Sequence, residues 1–268
     1  MLTLTQNILI LVGTMTASLL YMVAINRAWP AKVRYAQEDM IGWQLSILAT
    51  TYAVVMGFML YTEWTNFVAV NLNVEVEAGE LQNVYQLAEG LPARERALLQ
   101  AQAHAYATSA VTADWPDMAA GRIPVRSNEL NQAMWKTLLS VRTTTASEST
   151  AQQLALTHFT TLSQSRRIRV LQSVSRLPTI LWCVLVVGAA LTMVSVGTFG
   201  SRVYWLHAFQ VFSLTLLITL AMLAIADLNC PFQGWVHVGN YAFQRAEDNM
   251  HETQQTSRAD PGRPLSRG

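Results

Sequence analysis

The chain has 268 residues, of which 51% are hydrophobic and 13% charged, and its formal net charge is +1. Soluble domains carry about 25% charged residues, so this composition excludes an ordinary soluble globular protein. The near-neutral charge offers no basic footprint for nucleic acid, and two cysteines, Cys183 and Cys230, cannot make a disulfide framework.

The first apolar run extends from Ile8 to Ile25, and no charge precedes Arg27. Without a positively charged start or an A-x-A cleavage pattern it reads as a retained membrane helix, a cleaved signal being the alternative. The second run, Ile41 to Tyr61, is entered from Glu38 and Asp39 and left at Glu63. Val70, Val74, Leu81, Val84, Tyr85 and Ala88 then recur at helical spacing, which predicts that the second span continues as an amphipathic helix to about Glu89. Gly90 and Pro92 end it.

A second helix is expected over Arg94 to Asp114, followed by a turn-rich stretch from Trp115 to Ser127. A third fits Glu129 to Thr144 and a fourth Glu148 to Arg176, each with apolar residues on one face. Two more apolar runs follow, Thr179 to Phe199 and Trp205 to Ala226, the latter stopping at Asp227. From about Asn249 the composition turns polar and is expected to be disordered.

Each apolar run has roughly 18–22 residues, enough to cross a ~30 Å hydrocarbon layer. Trp29, Trp43, Tyr61, Trp64, Trp182, Tyr204, Trp205 and Trp235 lie near their edges, as interfacial aromatics do. No strand-like alternation is sustained. The expected class is an all-α integral membrane protein with four transmembrane helices and a helical soluble domain inserted between spans 2 and 3. The expected divisions are residues 1–63 (spans 1 and 2), 64–176 (the extramembrane domain), 177–248 (spans 3 and 4 with a Pro-Phe-x-Gly turn) and 249–268 (the tail). Basic residues near span ends number five on the domain side (Arg166, Arg167, Arg169, Arg176, Arg245) and four on the other (Arg27, Lys32, Arg34, Arg202). That excess leans toward a cytoplasmic domain.

Four stretches together resemble the bestrophin-like membrane protein family of bacteria and plants. They are Gly57-Phe58 with the acidic stretch Asn71 to Glu80; Tyr106 with Asp114-Trp115-Pro116-Asp117-Met118; Arg166-Arg167-Ile168-Arg169 with Leu177 to Trp182; and Asn229-Cys230-Pro231-Phe232-Gln233-Gly234. The likeness covers about residues 5 to 245. It implies a relation to bestrophins, pentameric anion channels whose second helix lines the pore. The resemblance thus implies a homo-oligomeric ion channel, multi-pass in the bacterial inner membrane, with inorganic ions and membrane lipids as its partners. A non-conducting scaffold or sensor whose helical domain binds a partner is the alternative. A membrane enzyme or secondary transporter is weaker, because none of the four runs contains Asp, Glu, Lys or Arg. No catalytic constellation and no cofactor is expected.

Carried onto this sequence, the bestrophin neck pattern falls on Thr50, Val54 and Phe58, which would gate a pore by dewetting. The same i, i+4 spacing also describes ordinary helix packing. Glu63, Glu75, Glu77 and Glu80 would form acidic rings in a symmetric oligomer, or simply a solvated helix face. Arg166, Arg167, Arg169 and Arg176 are expected to meet anionic headgroups, or acidic residues across a subunit contact. Asp227 and Asn229 provide too few oxygens for calcium, which takes about six to eight, and fit a helix-ending cap better. His104, His158, His207 and His237 lie on different segments without metal-ligand spacing. No metal site is expected.

Overall fold

The computed structural model describes residues 4–29, 34, 38–199 and 203–259. Among these residues the chain is helical, without strands. The helices are α1 (Leu4–Ala28), α2 (Glu38–Leu87), α3 (Ala93–Ser109), α4 (Trp115–Ala119), α5 (Arg126–Ser140), α6 (Ala146–Val174), α7 (Thr179–Thr198), α8 (Tyr204–Leu228) and α9 (Tyr241–Ala259). Among the described residues, four helical stretches are long and apolar enough to cross a membrane: Leu4–Ala28, Asp39–Gly90, Thr179–Thr198 and Tyr204–Leu228. Lys32 and Arg202 lie outside the described residues.

The chain forms two compact units. The first comprises Met1–Phe67, Arg176–Cys230 and Gly234–Val236; the second comprises Val68–Ser175, Pro231–Gln233 and His237–Gly268. Helix α2 contributes residues to both.

In the first unit, Tyr52 and Met56 of α2 pack with Leu185 and Ala189 of α7 and Ile218 and Ile225 of α8. A smaller cluster joins Met22 of α1, Val196 of α7 and Val211 of α8. Small residues let the aromatic rings lie close to the α7 backbone. A Cβ at Gly188 would stand 2.5 Å from the Tyr52 ring, whose hydroxyl donates to the Leu185 carbonyl at 3.0 Å. Gly188→Val is therefore expected to push Tyr52 out of place and cost about 1–3 kcal/mol, the usual penalty for overpacking. Thermal unfolding in detergent would show it, and an unchanged midpoint would mean that the ring relocates freely.

The second unit has α3 packed on both α5 and α9, and α5 on α6. Helix α6 begins at a capping box: the Glu148 N–H donates to Thr145 Oγ1 at 3.2 Å, and Glu148 Oε2 accepts the Thr145 N–H at 3.2 Å. The Thr144 N–H, also donated to Glu148 at 2.7 Å, leads the hydrogen bonds that hold this carboxyl below its ordinary pKa. A depressed carboxylate pKa contributes stability above the unfolded value, and that contribution is lost as pH falls through the folded one. Thr145→Ala should cost about 1 kcal/mol. Unfolding of this variant by denaturant at neutral pH checks that figure, and part of the difference from wild type should vanish in acid.

The structure departs from the sequence expectations in three places. The expected turn at Trp115 is helical as far as Ala119 and turns only at Gly121, whose φ of 73° suits a residue without Cβ. The third domain helix occupies Arg126–Ser140 rather than Glu129 to Thr144, because Thr144 and Thr145 are engaged in capping the next one. The tail expected to be disordered from Asn249 is helical to Ala259, with Met250 buried. The polar composition hid the short inner stripe of Ala242, Phe243, Ala246 and Met250, which anchors α9.

Candidate functional site

Part of each stretch that stood apart in the sequence lies in the second unit, and these parts converge there. Arg169 of α6 is fully buried and forms a two-pronged ion pair with Glu77, Nε to Oε2 at 2.7 Å and an Nη to Oε1 at 3.0 Å. The same Nη donates to Asp114 Oδ2 at 3.0 Å, and the Tyr106 hydroxyl donates to Glu77 Oε1 at 2.7 Å. The guanidinium also lies 5.2 Å from the Trp115 ring centroid and 5.7 Å from that of Phe243. One cation thus faces two carboxylates inside an aromatic wall. Burial, the largest single influence, lowers the Arg169 pKa, but the charge and hydrogen bonds of Glu77, joined by Tyr106 and Asp114, together outweigh it and raise the guanidinium above its ordinary value. Burial, and then Glu77, pushes Tyr106 well above the usual phenol range, so it stays a neutral donor.

Local chemistry explains how Asp114 reaches this cluster. Pro116 has no N–H with which to continue the helical ladder, and the preceding Ala110–Asp114 segment widens into a π-helix. Where that segment passes into α4, Asp114 and Trp115 are both buried. The Trp115 indole donates to the Val238 carbonyl at 3.0 Å and stacks edge-on with Phe232 at 5.8 Å. Gln233 donates to the Met118 carbonyl at 3.0 Å. The Pro-Phe-Gln stretch is therefore part of this wall.

These positions correct several site expectations. Glu77 does not line an open vestibule: it is completely buried, and Arg169 rather than an ion neutralises it. Glu63 is likewise buried, at 5% exposure. Glu80 bonds His158 at 2.6 Å, while Glu75 pairs with Arg245 at the surface. Arg169 does not meet headgroups or a neighbouring subunit, because its guanidinium is consumed within the chain. Arg166 donates to Ser127 Oγ at 2.8 Å at the start of α5. Only Arg167 and Arg176 of the four are exposed.

On the membrane portion of α2, Thr50, Val54 and Phe58 are exposed, the last two at 54% and 66%, while Tyr52 and Met56 point into the first unit. The three share one face at i, i+4 spacing. In its second-unit portion, α2 leaves the apolar side chains of Val68, Leu72 and Val76 uncovered.

At the end of α8, Asp227 accepts the Val236 N–H at 2.9 Å, and Asn229 accepts the Leu177 N–H at 2.7 Å. Both side chains thus accept backbone N–H groups of loop residues, and it is the Asn229 N–H, donating to the Ile225 carbonyl, that closes α8. Sequence reasoning also assigned Arg34 only to a basic loop. It is buried and donates to the carbonyls of Gly197, Thr198 and Phe199 at 3.3, 3.1 and 3.4 Å, and to the Asn26 side chain. A cation here complements the C-terminal dipole of α7.

A family model, the bestrophin-like domain, matches residues 12–243, and the chain belongs to the bestrophin-like family. Its fold is similar to crystal structures of a bacterial bestrophin homologue from Klebsiella pneumoniae. One, carrying a point substitution, aligns with a TM-score of 0.71 at 12% identity over 91% of this chain and 98% of that one. Another substituted form of that protein gives 0.70 at 13% identity over 90% and 99%. No match is found among curated proteins. At such identities the likeness establishes the bestrophin fold alone.

Proposed function

We propose that the protein is a homo-oligomeric ion channel of the bacterial inner membrane, conducting passively through a pore lined by the membrane portion of α2. The supporting observation is the outward face of that helix. Thr50, Val54 and Phe58 are left uncovered by their own chain, while the opposite face is spent on packing. Copies arranged around an axis would gather these side chains into rings, and mostly apolar rings gate by dewetting. Family membership and the fold of the Klebsiella homologue support the same reading.

In this reading the four apolar helices span the bilayer among membrane lipids, and the second unit is a helical extramembrane domain on the cytoplasmic side. Inorganic ions are the cargo, five subunits assemble as in bestrophins, and neither a cofactor nor a catalytic step is involved. The acidic contribution shrinks to the accessible carboxylate of Glu75 and the partly buried one of Glu80. Purified protein reconstituted in planar bilayers should carry ion currents, and native mass spectrometry should show a closed oligomer. A strict monomer without flux would sink the proposal, since the four apolar runs of one chain carry no Asp, Glu, Lys or Arg with which to line a solvated path.

A further inference from the structure

His104 and His251 are separated by 147 positions, yet their Nε2 atoms face each other at 2.8 Å in the second unit. Glu247 stands beside them, its Oε1 3.7 Å from His104 Nε2. One ligand atom from each of the three residues falls within 4.8 Å of the others. Two facing imidazole nitrogens need something between them, either a proton on one or a cation shared by both. The carboxylate adds the negative charge that favours a cation.

We propose that His104, Glu247 and His251 bind a divalent transition-metal ion of the zinc class, which staples α9 to α3. The geometry carries this inference. Zinc with bonds of about 2.0–2.1 Å holds tetrahedral ligand atoms about 3.3 Å apart, a value lying between the 2.8 and 3.7 Å separations here. Glu247 and His251 are at i, i+4 on α9, so both project from one side of that helix. They flank its buried stripe of Phe243, Ala246 and Met250, at an edge that solvent can reach.

The Glu247 oxygen that faces His104 is itself held in place by a second contact. Thr108, one turn after His104 on α3, donates its hydroxyl to Glu247 at 2.6 Å, an outer-shell bond of the kind that fixes metal ligands. Imidazole and carboxylate suit zinc better than calcium or magnesium, which take oxygen alone. Three protein ligands leave a fourth position for water. Because the ligands come from two helices far apart in the chain, the ion binds the folded form and stabilises it by mass action. This inference stands independently of conduction.

The test uses full-length protein purified without a histidine tag and titrated with Zn²⁺ in detergent. One equivalent per chain should bind saturably and raise the unfolding midpoint. His104→Gln and His251→Ala should each weaken binding at least about tenfold and abolish the thermal gain, and Thr108→Val should weaken it by about tenfold. His158→Ala, which removes an imidazole elsewhere in the unit, should leave both readouts unchanged. Because His251 is exposed, its loss leaves the fold intact and keeps the comparison interpretable. Absence of saturable binding, or full binding in both the His104 and His251 variants, would overturn the proposal and leave a hydrogen-bonded imidazole pair only.

Discussion

Replacing Arg169 with leucine is expected to destabilise the second unit by about 3–5 kcal/mol, the cost of breaking a buried ion pair by removing one partner. The effect should exceed that of most core truncations, because two carboxylates, Glu77 and Asp114, lose the same cation at once. Asp114 already has one buried oxygen, Oδ1, without a protein hydrogen-bond partner, so the cluster has no spare donor to compensate. Lysine should not rescue the site. A single ammonium cannot reproduce the two-pronged contact with Glu77, nor lie flat between Trp115 and Phe243. Glu77→Gln in the Arg169→Leu background should recover part of the loss, since it removes one of the two stranded charges. Lowering the pH should help the single variant as well, because a buried carboxyl without a cation is tolerated best when neutral. Denaturant unfolding of the variants across pH would measure all of this. A loss below about 1 kcal/mol for Arg169→Leu would show that the cluster is hydrated rather than dry.

The spans were legible in the sequence because an unbroken apolar run of that length has few other uses, and the continuation of α2 followed from the stripe of Val70, Val74, Leu81 and Val84. That stripe also held an unused signal. Glu77 lies three residues after Val74 and four before Leu81, squarely on the buried face, whereas Glu75 and Glu80 lie to either side. An acidic residue on such a face predicts a buried partner. Arg169 gives the matching sign, seven residues after Leu162 on the inner stripe of α6. What helical period cannot supply is which carboxylate meets which cation across 92 positions, and the π-helical shift before Trp115 is invisible to any 3.6-residue rule. The pairing of His104 with α9 was hidden for a different reason. Thirteen of the nineteen residues of that helix are polar, and its four inner residues are too few to outweigh a composition typical of disorder.

Convergence of the motifs bears on what they do. Glu77, Tyr106, Asp114, Trp115, Arg169 and Phe232 build one internal wall, so their chemistry is spent on holding the second unit together. In the channel proposed above, conduction would instead depend on side chains that the chain leaves uncovered, and α2 carries the best-spaced set.

Single substitutions along that face should therefore alter currents far more than stability. Phe58→Ala removes a large ring that is 66% exposed, so it leaves no cavity in the core, yet it should widen an apolar constriction and raise single-channel conductance severalfold. Val54→Asp would place an acidic ring one turn away and should turn selectivity toward cations. Thr50→Val should act in the opposite direction to Phe58→Ala. The threonine hydroxyl is the one polar group in the set, and replacing it with methyl makes the constriction easier to dewet and the closed intervals longer. All three should unfold within about 0.5 kcal/mol of wild type, as exposed positions do. A control at Leu217 of α8, equally exposed at 65%, should change neither conductance nor selectivity when made alanine. If currents respond to Leu217 as they do to Phe58, or ignore all three α2 positions, the exposed face of α2 meets lipid and the ion path lies elsewhere.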